Sequence, residues 1–220
     1  CIRDSRNAAP TWLTSAFAGS GDLTIEPVST SFTSPVTLNS AQFGLVLGSL
    51  TVGKTGNTQN ILMHSNITTT RSQNYLGPMV LTGQNVVLVS SSGGLSLGKV
   101  DSDSSATPRS LTLTAANDIV LTGDIGTISP LYALATSTSG TSTTYIGAQV
   151  TTTTDQFYNT PVLLTANSGF NSTEGNISFK GTVDGAYDLS ASVSSQGKVI
   201  FNYPVGASTP INSLTIGADG

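Results

Sequence analysis

With 220 residues, of which 9% are charged, 6% aromatic and 37% hydrophobic, the chain is neither a highly charged disordered polymer nor a bundle of membrane helices. Its formal charge of −4 at pH 7 disfavours nucleic acid and anionic membrane surfaces as partners. Ser and Thr make up about 29% of it, which alone would suit a disordered stalk, but the apolar residues fall into alternating runs of strand length that point to an all-β fold.

Residues 1–30 carry no repeat. Trp12, Leu13 and Phe17, beside Pro10, make this segment a candidate cap over a first coil or an interaction segment. Cys1 is the single cysteine, so an internal disulfide framework is excluded. As first residue it is either a lipidated cysteine or a free thiol at a fragment edge. No apolar run is long enough to span a bilayer, and no signal peptide is visible, so an export signal would have been removed or lie outside this chain.

From residue 31 onward the text repeats. Ile67 to Tyr75 reads I-T-T-T-R-S-Q-N-Y and is followed by L-G-P-M-V-L-T; Val150 to Tyr158 reads V-T-T-T-T-D-Q-F-Y and is followed by N-T-P-V-L-L-T. The pairs Gln73/Gln156, Tyr75/Tyr158, Pro78/Pro161 and Thr82/Thr165 all keep an offset of 83. Further on, Val100-Asp101 matches Val183-Asp184, and Asp118 to Gly126 with Pro130-Leu131 matches Lys198 to Gly206 with Pro210-Ile211. Ser49-Leu-Thr-Val-Gly53 returns as Ser213-Leu-Thr-Ile-Gly217. The unit is about eighty residues long, and the chain divides into a partial copy at 31–66, a full one at 67–149 and an incomplete one at 150–220.

Short strands at spacings of about ten residues, each with one aliphatic and one Ser/Thr side and Gly/Asn/Asp at the corners, favour a β-solenoid over a sandwich. An eighty-residue unit then corresponds to three or four coils, and the chain to roughly ten coils forming a rod about 50 Å long. The insertions at Ser102–Pro108 and Ser137–Thr144 are expected in loops on this stack.

Several short motifs weigh less than they look. Gly48-Ser-Leu-Thr-Val-Gly53-Lys54-Thr55 fits a phosphate-binding loop, but that mechanism needs a helix to begin at the lysine, and Gly-Asn-Thr-Gln-Asn is poor helix text. His64, the only histidine, has no G-x-S-x-G elbow to serve. The S-x-x-K matches at Ser96–Lys99 and Ser195–Lys198 are expected from composition. Asp101, Asp103, Asp184, Asp188 and Asp219 read chiefly as corner residues, with calcium binding and glycan cleavage as alternatives. The threonine strings at Thr68–Thr70 and Thr151–Thr154 recur once per unit, too sparsely for an ice-binding rank. No cofactor or metal is expected, and no enzyme activity.

The strings Val150 to Leu163, Gly175 to Ala186 and Pro210 to Ile216 resemble the long repeats of filamentous-haemagglutinin-like bacterial surface proteins. The resemblance covers residues 67–220 and, weakly, 32–66. It implies an exported right-handed parallel β-helix, serving as fibre, stalk or adhesin, with no catalytic residues. The uncovered strand near Leu214 and Ile216, with Trp12, Leu13 and Phe17 at the other end, are candidate assembly residues for head-to-tail joining into a homopolymer. The alternatives are continuation within a longer repeat chain, an adhesin that binds glycan or protein through its loops, and a polysaccharide-active β-helix enzyme.

Overall fold

The computed structural model describes residues 2–4, 20–42, 47–194 and 196–219. Among them every strand pairing is parallel, and the one helical element is a 3-10 turn at Ser40–Gln42. The strands wind into a three-faced solenoid of about eight coils, fewer than the ten expected. At about 4.8 Å per coil the rod is about 40 Å long.

The first face stacks β1 (Ile2–Asp4), β2 (Leu23–Pro27), β4 (Leu50–Gly53), β7 (Gln73–Leu76), β10 (Leu95–Leu97), β13 (Ile119–Leu121), β15 (Thr144–Ile146), β18 (Val162–Leu164) and β21 (Val183–Asp184). The second begins with β3 (Val36–Leu38), β5 (Ile61–Met63), β8 (Met79–Leu81) and β11 (Val100–Ser102). Ile125 bridges Val100 to Val150, and the face continues through β16 (Gln149–Thr152), β19 (Ser168–Ser172), β22 (Asp188–Ser194) and β24 (Ser213–Asp219). The third stacks β6 (Ile67–Thr69), β9 (Val86–Ser90), β12 (Leu111–Ala115), β14 (Leu134–Thr138), β17 (Gln156–Tyr158), β20 (Ile177–Phe179) and β23 (Val199–Phe201). Both β1 and β2 fall within residues 1–30, so solenoid pairing starts inside the segment that lacks repeat text.

The alternation in the sequence fixes which side chains enter the core. In β12, Leu111, Leu113 and Ala115 are buried while Thr112 and Thr114 face outward. Leu111 stacks on Val86 below and Leu134 above, forming an aliphatic ladder parallel to the axis. Each fully buried Leu, Ile or Val contributes roughly 2 kcal/mol by removal from water. Because adjacent coils are close in sequence and distant ones do not touch, stability accumulates along the rod.

Coil length is not constant. On the first face the shortest coil runs 18 residues, from Thr144 to Val162, and the longest 27, from Leu23 to Leu50. Of the insertions expected as loops, residues 103–108 lie at a corner between the second and third faces, with Ser102 ending β11, and residues 139–143 at a corner between the third and first, with Ser137 and Thr138 ending β14 and Thr144 opening β15.

The eighty-residue repeat does not return the chain to the same face. The first signature occupies β6 on the third face, β7 on the first and β8 on the second; its second copy occupies β16 on the second, β17 on the third and β18 on the first. Eleven faces separate the two copies, or three and two-thirds coils. The other matches obey the same rule: β11 is replaced by β21, β13 by β23, and, over two periods, β4 by β24. Tyr75 and Tyr158 therefore lie on one axis in one kind of corner, but on different faces. The three or four coils expected per unit are thus three and two-thirds, and the repeat changes face at every copy.

Two corner glycines show how sharply the chain must bend. Gly126 has φ +68°, and a Cβ there would lie 2.2 Å from Thr151 O. Its repeat partner Gly206 has φ +72°, and both amides donate to the preceding coil, to Val100 O and Val183 O respectively. Gly126→Ala is expected to cost about 2 kcal/mol or more, since it adds a backbone clash to left-handed strain. Gly140→Ala, at φ +59° with open space around the Cβ, is expected to cost about 1 kcal/mol. Urea midpoints of the two variants check this; equal shifts would show that the clash is relieved without cost.

Candidate functional site

The repeat signature builds an internal polar corner rather than a reaction centre. Gln156 is fully buried, and its Nε2 donates to Val150 O (3.3 Å), Thr152 Oγ1 (3.2 Å) and, on the next coil, Asn171 O (2.8 Å). Its Oε1 accepts from Tyr158 Oη at 3.0 Å. Gln73 does the same with Ile67 O, Thr69 Oγ1, Val89 O and Tyr75 Oη. The accompanying threonine hydroxyls, Thr69 and Thr152, donate to Arg71 O and Thr154 O. Ser90 and Ser172 repeat a further link, each donating to the same carbonyl oxygens as those threonines. Burial pushes the Tyr75 and Tyr158 phenols far above the ordinary tyrosine range, so both remain hydrogen donors.

The aspartates are corner acceptors. Asp101 Oδ1 accepts from the amides of Ile128 and Ser129, and Asp184 Oδ1 from those of Ser208 and Thr209. The two are repeat partners that lie on different faces. Asp103 pairs with Arg109 at 2.9 Å, and the hydrogen bond from that guanidinium holds its carboxyl below the usual range. Asp188 accepts from Ser213 Oγ. No group of three or more His, Cys, Asp or Glu that could hold a metal occurs among the described residues.

The remaining motifs sit where a solenoid puts them. Gly48–Gly53 leads into β4 and Lys54 lies at an exposed corner, with no helix after it. His64 is exposed and contacts Thr82 Oγ1 through Nδ1 at 3.1 Å. The two threonine strings fall on different faces and form no common row.

One ionic cluster links residues too far apart for local pattern reading to find. Asp22 Oδ1 accepts from Ser49 Oγ (2.6 Å), from Ser49 N (2.9 Å) and from Arg71 Nη2, tying three consecutive coils together. These bonds, the Ser49 hydroxyl first and the Arg71 guanidinium next, lower the Asp22 carboxyl to about 2. An ordinary aspartate titrates near 3.9 when unfolded, so the contribution is complete above about pH 4 and disappears as the pH falls towards 2. Melting temperatures of the chain and of Asp22→Asn are expected to differ at pH 6 and to converge near pH 2; a difference that persists at pH 2 would rule this out.

The candidate interaction site is the open end of the rod. β24 pairs along its whole length with β22, placing Leu214 over Leu189 and Ile216 over Ala191. Leu189 and Ala191 are 1% and 2% exposed, whereas Leu214 and Ile216 are 45% and 50% exposed. Val199, Phe201, Val205 and Ile211 are half-buried at core positions of the same last coil. Among the described residues, nothing pairs with the outer edges of β23 and β24. Of the assembly residues expected from sequence, Leu214 and Ile216 thus share this end; Trp12, Leu13 and Phe17 lie outside the described residues.

A second surface, unmarked by any sequence motif, is a shallow groove across β16, β19, β22 and β24, lined on its polar side by Gln149, Thr151, Asn171, Ser190, Ser192 and Thr215. Its floor includes Gly169, where a Cβ would collide with the Gln149 side chain at 2.0 Å. No helix among the described residues is long and apolar enough to cross a membrane. The chain matches no protein-family model, no curated protein and no solved structure.

Proposed function

We propose that this chain is a structural segment of an extracellular fibre or stalk at a bacterial surface, extended by stacking through the open end of the solenoid. The observation that carries the reading is the uncovered last coil: Leu214 and Ile216 occupy core positions yet stand about half exposed. An apolar end beside unpaired strand edges favours addition of further strands. The resemblance to filamentous-haemagglutinin-like repeats supports the exported setting, and the three-faced stack supplies the rigidity of a rod. Sedimentation and electron micrographs of the purified chain test it: end-to-end oligomers are expected, lost in Leu214→Asp/Ile216→Asp. A chain that stays monomeric at high concentration would count against head-to-tail joining.

The groove favours a second reading, an adhesin for neutral glycan. Its uncharged lining, in which amides and hydroxyls flank a larger apolar surface that includes Val150, Phe170 and Ala191, suits the hydroxyls and C–H faces of a sugar better than an ionic ligand. On this reading Asn171→Ala is expected to abolish glycan-array binding, whereas deleting residues 139–141, at the corner between β14 and β15, leaves it intact; binding that depends on that loop instead would place the site there.

A further inference from the structure

The phase of the repeat specifies what fits the open end. β24 belongs to a set of three equivalent strands, each eleven faces from the next: β4, β14 and β24. Their text agrees, with Pro130-Leu-Tyr-Ala-Leu134 returning as Pro210-Ile-Asn-Ser-Leu214, and Ser49-Leu-Thr-Val-Gly53 as Ser213-Leu-Thr-Ile-Gly217. The next coil over each of the first two is known. β4 is covered by β7, with Gln73 on Leu50 and Tyr75 on Val52. β14 is covered by β17, with Gln156 on Leu134 and Tyr158 on Thr136. Both covers are Gln-x-Tyr strands, although they lie on different faces.

The neighbouring face agrees. Val150 bridges Ile125 and Thr152 bridges Leu131, and the repeat partners of Ile125 and Leu131 are Val205 and Ile211, both only partly buried at the open end where Ile125 and Leu131 are fully buried. A single string, Val150 to Tyr158, therefore covers the two corner-flanking faces that the last coil leaves open. From this correspondence we infer that the open end is a receptor for one further coil of V/I-T-T-T-x-x-Gln-x-Tyr text, the glutamine resting on Leu214 and the tyrosine on Ile216.

The partner's chemistry follows. It is an extended strand segment that brings its own glutamine, so that the corner network closes against one carbonyl and one threonine hydroxyl of its own first strand, as Gln156 does with Val150 O and Thr152 Oγ1. The chain's own two Gln-x-Tyr strands do not serve in the folded state, because β7 is already held between β4 and β10 and β17 between β14 and β20. A second folded copy thus offers no free Gln-x-Tyr strand; the fitting cover is an additional repeat coil, and end-to-end joining of folded copies would use Leu214, Ile216 and the strand edges without the corner network. This deepens the fibre reading, and rests on it only for its biological setting.

The test appends the text of residues 139–164, one coil with its signature, to the end of the full chain and follows amide hydrogen exchange. The amides of residues 213–219 and of the appended Gln-x-Tyr strand are expected to exchange about tenfold more slowly or better than in the unextended chain. Replacing the appended Gln and Tyr with Ala is expected to remove that protection. The inference is overturned if the appended coil exchanges like a free peptide, or if the Ala version protects equally. Oligomerisation of the unextended chain is a separate readout: filaments without this protection would leave the fibre reading intact and sink the inference, and protection without filaments would do the reverse.

Discussion

Gln156→Ala is expected to destabilise the chain by about 3 kcal/mol or more. The amide makes three donor contacts and accepts from Tyr158, and the side chain is fully buried. Truncation leaves Val150 O, Asn171 O and the Tyr158 hydroxyl short of a partner, and each buried unsatisfied group costs about 1–3 kcal/mol. Tyr158→Phe removes one bond of the same network and is expected to cost about 1 kcal/mol. Urea denaturation read by circular dichroism separates the two, and Gln73→Ala is expected to behave like Gln156→Ala. If the glutamine and tyrosine variants were equally stable, the corner would be held by backbone pairing alone, and the signature would need another explanation.

Phe179→Ala is expected to cost about 3–5 kcal/mol and to split unfolding into two steps. Phe179 is the centre of an aromatic stack, parallel to Tyr158 at 4.9 Å and to Phe201 at 5.0 Å, with Phe170 edge-on at 5.2 Å. Such pairs contribute beyond their buried area. Since each coil contacts only its neighbours, a defect here uncouples the coils beyond β20 from the rest. Phe201→Ala, at the half-buried end of the same stack, is expected to cost less than half as much. A single cooperative transition in Phe179→Ala, shifted by under 1 kcal/mol, would show that the stack packs without contributing stability.

Much of the fold was legible because its rules are local. Alternation in Leu111-Thr-Leu-Thr-Ala115 announces a strand with one buried side whatever the strand later pairs with. The Gln–Tyr signature was legible as a repeat for a similar reason: of its hydrogen bonds, those to Ile67 O, Thr69 Oγ1 and Tyr75 Oη stay within nine residues. The open end was visible through Leu214 and Ile216 once Ser213–Gly217 was matched to Ser49–Gly53. The groove was not, since its residues come from four strands spaced along residues 149–217 and owe their proximity only to stacking. Nor was Asp22, whose partners Ser49 and Arg71 lie one and two coils away.

Taken alone, the order of residues determined that the protein is all-β, that it is a solenoid, and that one corner design recurs about every eighty residues. Tertiary structure alone decided the phase, three and two-thirds coils per repeat, and hence that Tyr75 and Tyr158 occupy different faces. The physical reason is that all three faces accept the same short strand and the corner network closes largely within itself, so nothing local records which face it is on. That is set by the sum of coil lengths, which corner insertions vary between 18 and 27 residues on the first face, and only the stacked coils themselves add it up.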